Sequence, residues 1–317
     1  MENTQNKLNL IFGDVGLGVH GPDHEYLFSY DKKGLESIRI AGREWLLEPV
    51  KPIFWRATTD NDRGAGFPQK VASWLGADLF QTGSVKTIWV DQQILELPLP
   101  PVNNKYNGDE SAQEVAILYE YQLPVQPQTK VEILYQVNAI GQLKVKAHYF
   151  GQKGLPELPV FGVRFMIPTL TNRFIYTGLS GETYPDRKQG GQFGTYHVQG
   201  IPVTPYLIPQ DNGVHMETQT VTLERTSTKN NVEPVVHPFE LTVRKTKQPF
   251  AFSCLPYTAA ELENATHQEE LPLPRKTVLS ILGSVRGVGG IDSWGAEVLP
   301  DYRISGEIDH EFEFMLE

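Results

Sequence analysis

One cysteine, Cys254, in 317 residues excludes an internal disulfide and a zinc site built from cysteines. A lone thiol is more often a small buried hydrophobe than a nucleophile, and its isolation suits a reducing compartment. No apolar run approaches twenty residues, so no membrane span is expected. Positive charge is short as well. The 28 Lys and Arg residues face 38 Asp and Glu, for a formal net charge of −10, and they are scattered rather than gathered into a stripe. Such a surface repels phosphate backbones, so nucleic acid is not an expected partner. Residues 1–7 are polar and lead into only a short apolar stretch, 8–12, without the charge layout or apolar core of a secretion signal. A cytoplasmic location is the expectation. Internal repeats and low-complexity runs are also missing, as is the strand–helix alternation of a (β/α)₈ barrel.

What the chain does have is period-2 alternation. Val131, Ile133, Tyr135 and Val137 face one way while Glu132 and Gln136 face the other, the pattern of a half-buried strand. The alternation resumes after Gly141 with Leu143, Val145, Ala147 and Tyr149, which reads as a hairpin with a short glycine-containing turn. Further strands are expected over 115–122, 214–223, 239–243, 277–282 and 308–315. The 23 prolines and 28 glycines supply the turns that such a meander needs. Helical evidence is confined to two places. Val71, Trp74, Leu75 and Leu79 have i, i+3, i+4 spacing, and Thr258 with Glu261 has the form of a capping box. The fold expected is all-β, a large antiparallel β-sandwich with one or two short helices. Length alone leaves the domain count open, but strand patterning continues on both sides of the proline- and asparagine-rich stretch 98–108. That stretch and 264–276 read as surface loops of a single domain over 1–317.

Three motifs mislead. Gly16-Leu17-Gly18-Val19-His20-Gly21 satisfies G-x-G-x-x-G, but a dinucleotide site needs a helix to open there, and the next residues read as extended. Asp60-Asn61-Asp62 hints at a calcium loop, yet Ala65 and Val71 stand where that loop needs Gly and Glu. His20 and His24 have a spacing that suits a metal on a helix, in a segment that does not read as one.

Two stretches carry more chemistry than a strand or helix requires. Phe54-Trp55-Arg56-Ala57-Thr58-Thr59-Asp60-Asn61-Asp62-Arg63-Gly64 packs aromatics, charges and glycine into what reads as the start of a specialised loop. Near the C-terminus, Arg286-Gly287-Val288-Gly289-Gly290-Ile291-Asp292-Ser293-Trp294 sets a tryptophan just after three glycines, in a backbone able to approach a ligand closely. Its indole is either a flat platform for the C–H face of a sugar or a core residue with small neighbours.

The first stretch resembles the R-A-x-x-D-N-D-x-G signature in the last domain of family 2 β-galactosidases. The second resembles that family's G-x-G-G-D-D-S-W motif, whose tryptophan stacks on substrate. Leu179-Ser180-Gly181-Glu182-Thr183-Tyr184-Pro185-Asp186-Arg187 is similar to its G-P-x-E-N-Y-P-D-R, and Pro205-Tyr206-Leu207-Ile208-Pro209-Gln210-Asp211-Asn212-Gly213 to its P-Y-x-x-P-Q-E-N-G. The four occur in the family's order, from about Leu27 to the C-terminus, with residues 1–20 poorly matched. Departures are Leu179-Ser180 for Gly-Pro, Thr183 for Asn, Asp211 for Glu, and Ile291 for the first Asp of D-D-S-W. Each weakens a role carried over to that side chain.

The resemblance implies a galactose-mutarotase-like supersandwich. It also implies a likeness to the small chain of the heteromeric members found in lactic acid bacteria, in which a large subunit brings the barrel with the acid/base and nucleophile glutamates of a retaining glycosidase. This chain would then hold no catalytic residue. It would complete the site for lactose and other terminal β-D-galactosides with Trp294. Arg56, Asp60, Asn61, Asp62, Glu182, Asp186, Arg187, Asp292 and Ser293 would support the active-site loops, with Gly64 and Gly66 as a hinge. Glu182 and Asp186 form the most tempting local carboxylate pair, but their surroundings read as loop-holding. Mg2+ and a monovalent cation would belong to the assembled enzyme, with ligands mostly in the partner and none assigned here. Two alternatives remain: a stand-alone aldose mutarotase or epimerase using His197 or His215 with Glu182, and a galactoside-binding module built around Trp294.

Overall fold

The computed structural model describes residues 7–95, 110–230 and 237–317. The stretch 98–108, expected as a surface loop, lies outside the described residues.

The hairpin legible in the sequence sits at the centre of a ten-stranded antiparallel sheet. Lys130–Asn138 pairs with Leu143–Tyr149, Val137 opposite Leu143, around a turn in which Gly141 takes a positive φ of 85°. One side of the hairpin extends through Glu114–Gln122 and Thr82–Val90 to Gln93–Leu95. The other extends through His310–Leu316, Phe239–Lys245, Thr220–Arg225 and Arg173–Leu179 to the edge strand Phe193–Gln199.

A six-stranded sheet and a five-stranded sheet cover the apolar face of the large one. The six-stranded sheet orders Arg43–Glu44, Gly34–Ile40, His24–Ser29, Gly16–His20, Leu8–Phe12 and Ser111–Ala112. The glycine-rich run at 16–21 is therefore a strand, without the helix that a phosphate cradle requires. The five-stranded sheet orders Val214–Thr218, Phe250–Leu255, Thr277–Val285, Val160–Ile167 and Lys51–Ile53. One buried cluster draws side chains from all three sheets, including Phe28, Tyr135, Phe161 and Phe314. Burying side chains of this size stabilises the fold by roughly 1.5–3 kcal/mol each before ordering entropy is counted. Tyrosine hydroxyls in the seam find backbone acceptors: Tyr119 donates to Ser29 O at 3.0 Å and Tyr26 to Gly141 O at 2.6 Å. The fold is thus the antiparallel sandwich expected.

Three local expectations change. The alternating run 214–223 is two strands, Val214–Thr218 in the five-stranded sheet and Thr220–Arg225 in the ten-stranded one. Glu217, with a φ of 53°, marks the switch between them. The helical spacing at 71–79 resolves into Phe67–Lys70, a 3₁₀ turn Ala72–Trp74, and Ala77–Phe80, with Gly66 and Gly76 in left-handed conformation ahead of the two α segments. Val71 and Trp74 are buried as that spacing requires, but Leu75 and Leu79 are exposed because the helix breaks between them. The start of the loop at 60 is a short helix, Asp60–Gly64. A fourth α segment, Ala259–Asn264, follows the Thr258–Glu261 capping box.

All eight residues of Val160–Ile167 are buried, so this strand is covered on both faces. Its inner face meets the main core. A second cluster with Ile53, Val160, Tyr184, Val214 and Val285, and a third with Ala57, Leu255 and Leu262, lie beside the sequence motifs.

Candidate functional site

The four motifs, spread over more than 230 residues of sequence, converge here. Thr59 caps the helix Asp60–Gly64 through a reciprocal box: its hydroxyl accepts from Asp62 N, and the Asp62 carboxylate accepts from Thr59 N at 3.0 Å. The cap turns Asp62 inward, where it is almost wholly buried between two arginines. Arg56 Nη1 lies 3.0 Å from Oδ2, and Arg286 Nη1 lies 3.4 Å from Oδ1. Arg56 Nη2 also donates to Gly287 O at 3.1 Å. Arg286 reaches on to Glu157 at 3.0 Å and lays its guanidinium over the Phe67 ring, 3.6 Å from the centroid. Burial works against both guanidinium charges. At Arg56 the fields of Asp62 and Asp211 more than offset it, whereas at Arg286 burial prevails and lowers the pKa.

Asp60 stays at the surface, its backbone N–H donating to Gln210 Oε1 at 2.8 Å. Arg63 spans from Asp60 Oδ1 to Pro209 O, both at 3.1 Å. These bonds join the first motif to the third. Asp211 of the third accepts from the hydroxyl of Tyr184, in the 179–187 motif, at 2.8 Å. Burial pushes its pKa up to about 6, with Arg56 and Tyr184 pulling the other way.

Asp186 turns its fully enclosed carboxylate onto the glycine loop and accepts from Val288 N at 3.0 Å and Gly289 N at 2.8 Å. Arg187 donates to Gly289 O. Asn61 completes the grip, its Nδ2 donating to Gly289 O at 3.3 Å and its Oδ1 accepting from Gly295 N at 3.4 Å. The glycines are needed for this. A Cβ at Gly287 would lie 2.8 Å from the Asp186 carboxyl carbon, and one at Gly290 would lie 2.2 Å from Asn61 Nδ2. The close approach that glycine allows is made to this chain's own side chains.

Above this grip, residues 291–294 form an exposed crest. Trp294 is 75% exposed, which removes the core reading of its indole. Its six-membered ring lies over the first motif, Cε2 and Cζ2 each 3.3 Å from where a Cβ on Gly64 would stand. Ser293 O accepts from Ala296 N at 3.0 Å in the turn below, and Asp292 is exposed. Gly66 takes a left-handed φ of 66° as the cap of Phe67–Lys70. Trp55 and Phe54 are buried.

Glu182 and Asp186 do not face one another as a reactive pair. Asp186 is committed to the glycine loop, while Glu182 is exposed and accepts from the Thr204 hydroxyl at 2.8 Å. His197, opposite Ile175 on the edge strand, is exposed and lines one cleft with Glu182 and His215. Sequence reasoning missed Glu263, which binds Trp55 Nε1 at 3.3 Å and Thr58 N at 2.6 Å, and also Glu157 beneath Arg286. The only sequence signal for Glu263 was the capping box that starts its helix. Among the described residues no three His, Cys, Asp or Glu side chains come together to hold a metal ion. Among the same residues no helix is long and apolar enough to cross a membrane.

Residues 20–316 match the family described as beta galactosidase small chain. A beta-galactosidase small subunit from Latilactobacillus sakei is 57% identical over 316 residues, 99% of each chain. A beta-galactosidase from Halalkalibacterium halodurans is 31% identical over 98% of this chain, which spans 28% of that protein's length. A solved structure of a putative aldose 1-epimerase from Escherichia coli K12 aligns over 95% of this chain and 97% of its own, with 11% identity and a TM-score of 0.45. With the match running over nearly the whole chain and the four motifs gathered at one place, the chain belongs to the β-galactosidase small-chain family.

Proposed function

We propose that this chain is the non-catalytic subunit of a cytoplasmic heteromeric β-galactosidase that hydrolyses terminal β-D-galactosides such as lactose. In this reading a larger, barrel-bearing partner supplies the two catalytic glutamates, and this chain closes one side of the pocket with Trp294. The observation that carries the proposal is an exposed indole on a crest fixed from below by Asp186, Arg187 and Asn61. A flat aromatic face held in place stacks on the C–H face of a sugar without first losing conformational freedom.

The carboxylates support the same reading. A retaining glycosidase needs two carboxyl groups about 5 Å apart across the scissile bond. Asp62, Asp186 and Glu263 are instead occupied by arginines or backbone N–H groups of this chain. The short span of the longer relative leaves most of its length for other machinery. The cations expected of the assembled enzyme are assigned to no residue here.

The test is hydrolysis of nitrophenyl β-galactoside by the purified chain, alone and after mixing with the large subunit. No turnover alone and turnover on mixing are expected. Cleavage at enzymatic rates by the chain freed of any partner would overturn the proposal.

A further inference from the structure

Along the edge of the ten-stranded sheet, beside residues 202–205, lies an open cleft of about 490 Å3 that shares no lining residue with the Trp294 crest. Its walls include Phe174, Tyr176, Tyr196, Glu182, Thr204 and His215. The size lies in the range of small-molecule sites, which are mostly apolar with a few placed polar groups.

The wall is set in place by hydrogen bonds. The Tyr176 hydroxyl donates to Leu179 O and accepts from Gly181 N, both at 3.1 Å, and its buried ring backs the wall from behind. Tyr196 lies 5.3 Å from Tyr176 between centroids, and His215 lies 4.5 Å from Tyr176. His215 Nδ1 is 2.8 Å from Gly181 O. A carbonyl only accepts, so Nδ1 carries the proton and Nε2 keeps its lone pair. Burial holds the imidazole neutral, its pKa pushed down to about 4. Glu182 uses one carboxylate oxygen for Thr204 and makes no ion pair among the described residues.

The cleft therefore offers one aromatic face, that of Tyr196, and hydrogen-bond acceptors, and among the described residues no Lys or Arg lines it. That combination disfavours an anion and suits a neutral ligand that presents a C–H face together with several O–H donors. We propose that this cleft is a second carbohydrate-binding site, taking a neutral hexopyranose whose apolar face lies on Tyr196 and whose hydroxyls donate to Glu182 and His215.

The test titrates the full chain with D-galactose by ligand-observed NMR, alongside Glu182→Ala, Tyr196→Ala and Trp294→Ala, each checked for wild-type circular dichroism. Glu182 is exposed and Tyr196 half-buried, so both variants are expected to fold. The wild-type chain should bind saturably. Glu182→Ala and Tyr196→Ala should each raise Kd about ten-fold, the loss of one charge-assisted hydrogen bond or one stacking contact. Absence of saturable binding, or an unchanged Kd in both folded variants, overturns the proposal. Binding abolished by Trp294→Ala and spared by Glu182→Ala places the sugar on the crest and overturns it as well, without touching the subunit reading.

Discussion

Arg56, Asp62 and Arg286 are each at most 5% exposed, yet one short helix away the four residues of the crest all face solvent. Below, charges are buried and each is answered: two guanidinium groups by one carboxylate, with Glu157 beyond. Above, Trp294 and Ile291 are left without cover. A fold that buries more than sixty apolar side chains does not leave an indole out for want of room, as Trp45, Trp55 and Trp74 are all inside. The difference separates two kinds of work. The buried ions fix the backbone of the first and fourth motifs, and the crest leaves its apolar surface open to solvent.

The comparison breaks most readily from below. Asp62→Ala would strand two buried guanidinium groups and remove the helix cap at once, at an expected cost of about 3–5 kcal/mol in urea denaturation. A loss under about 1 kcal/mol would mean that the arginines hold themselves without it.

A subtler probe is acid. Asp211 has a folded pKa raised to about 6 against an ordinary 3.8, so between those values the folded chain holds more protons and this group removes stability as pH rises. His215 acts in the opposite sense. Its pKa is lowered from 6.5 to about 4, so stability is lost as pH falls through that window. The two slopes oppose each other between about pH 4 and 6 in the wild-type chain. Asp211→Asn keeps an acceptor for Tyr184 and removes one slope. It should be more stable than wild type at pH 7, by roughly 1–3 kcal/mol, and the gain should vanish near pH 4. Melting curves across pH check this, and a gain independent of pH would refute the assignment.

How far all this could be read from the sequence follows the range of the contacts. The 131–149 hairpin was plain because its register is local and its alternation is one-sided. The same signal failed at 214–223, where alternation runs unbroken through a change of sheet that only the positive φ of Glu217 reveals. The motifs stood out by their density of glycine, aromatic and charged residues. Their partners did not: Asn61 meets Gly295 across 234 positions and Thr58 meets Glu263 across 205, and no periodicity encodes such pairs. Whether Trp294 was inside or outside was likewise undecidable from its neighbours, since glycines permit both. The answer came from Asp186 and Asn61, which use those glycines to anchor the loop's backbone beneath the indole.

Smallest in its effect on stability and most direct for the central claim is Trp294→Ala. Folding free energy should stay within about 0.5 kcal/mol of wild type, because the side chain is largely exposed. The kcat/KM for lactose of the enzyme reconstituted with the large subunit should fall by about ten-fold or more, the loss of a stacking contact of at least 1.4 kcal/mol. An unchanged kcat/KM in a variant that folds and assembles normally would contradict the account.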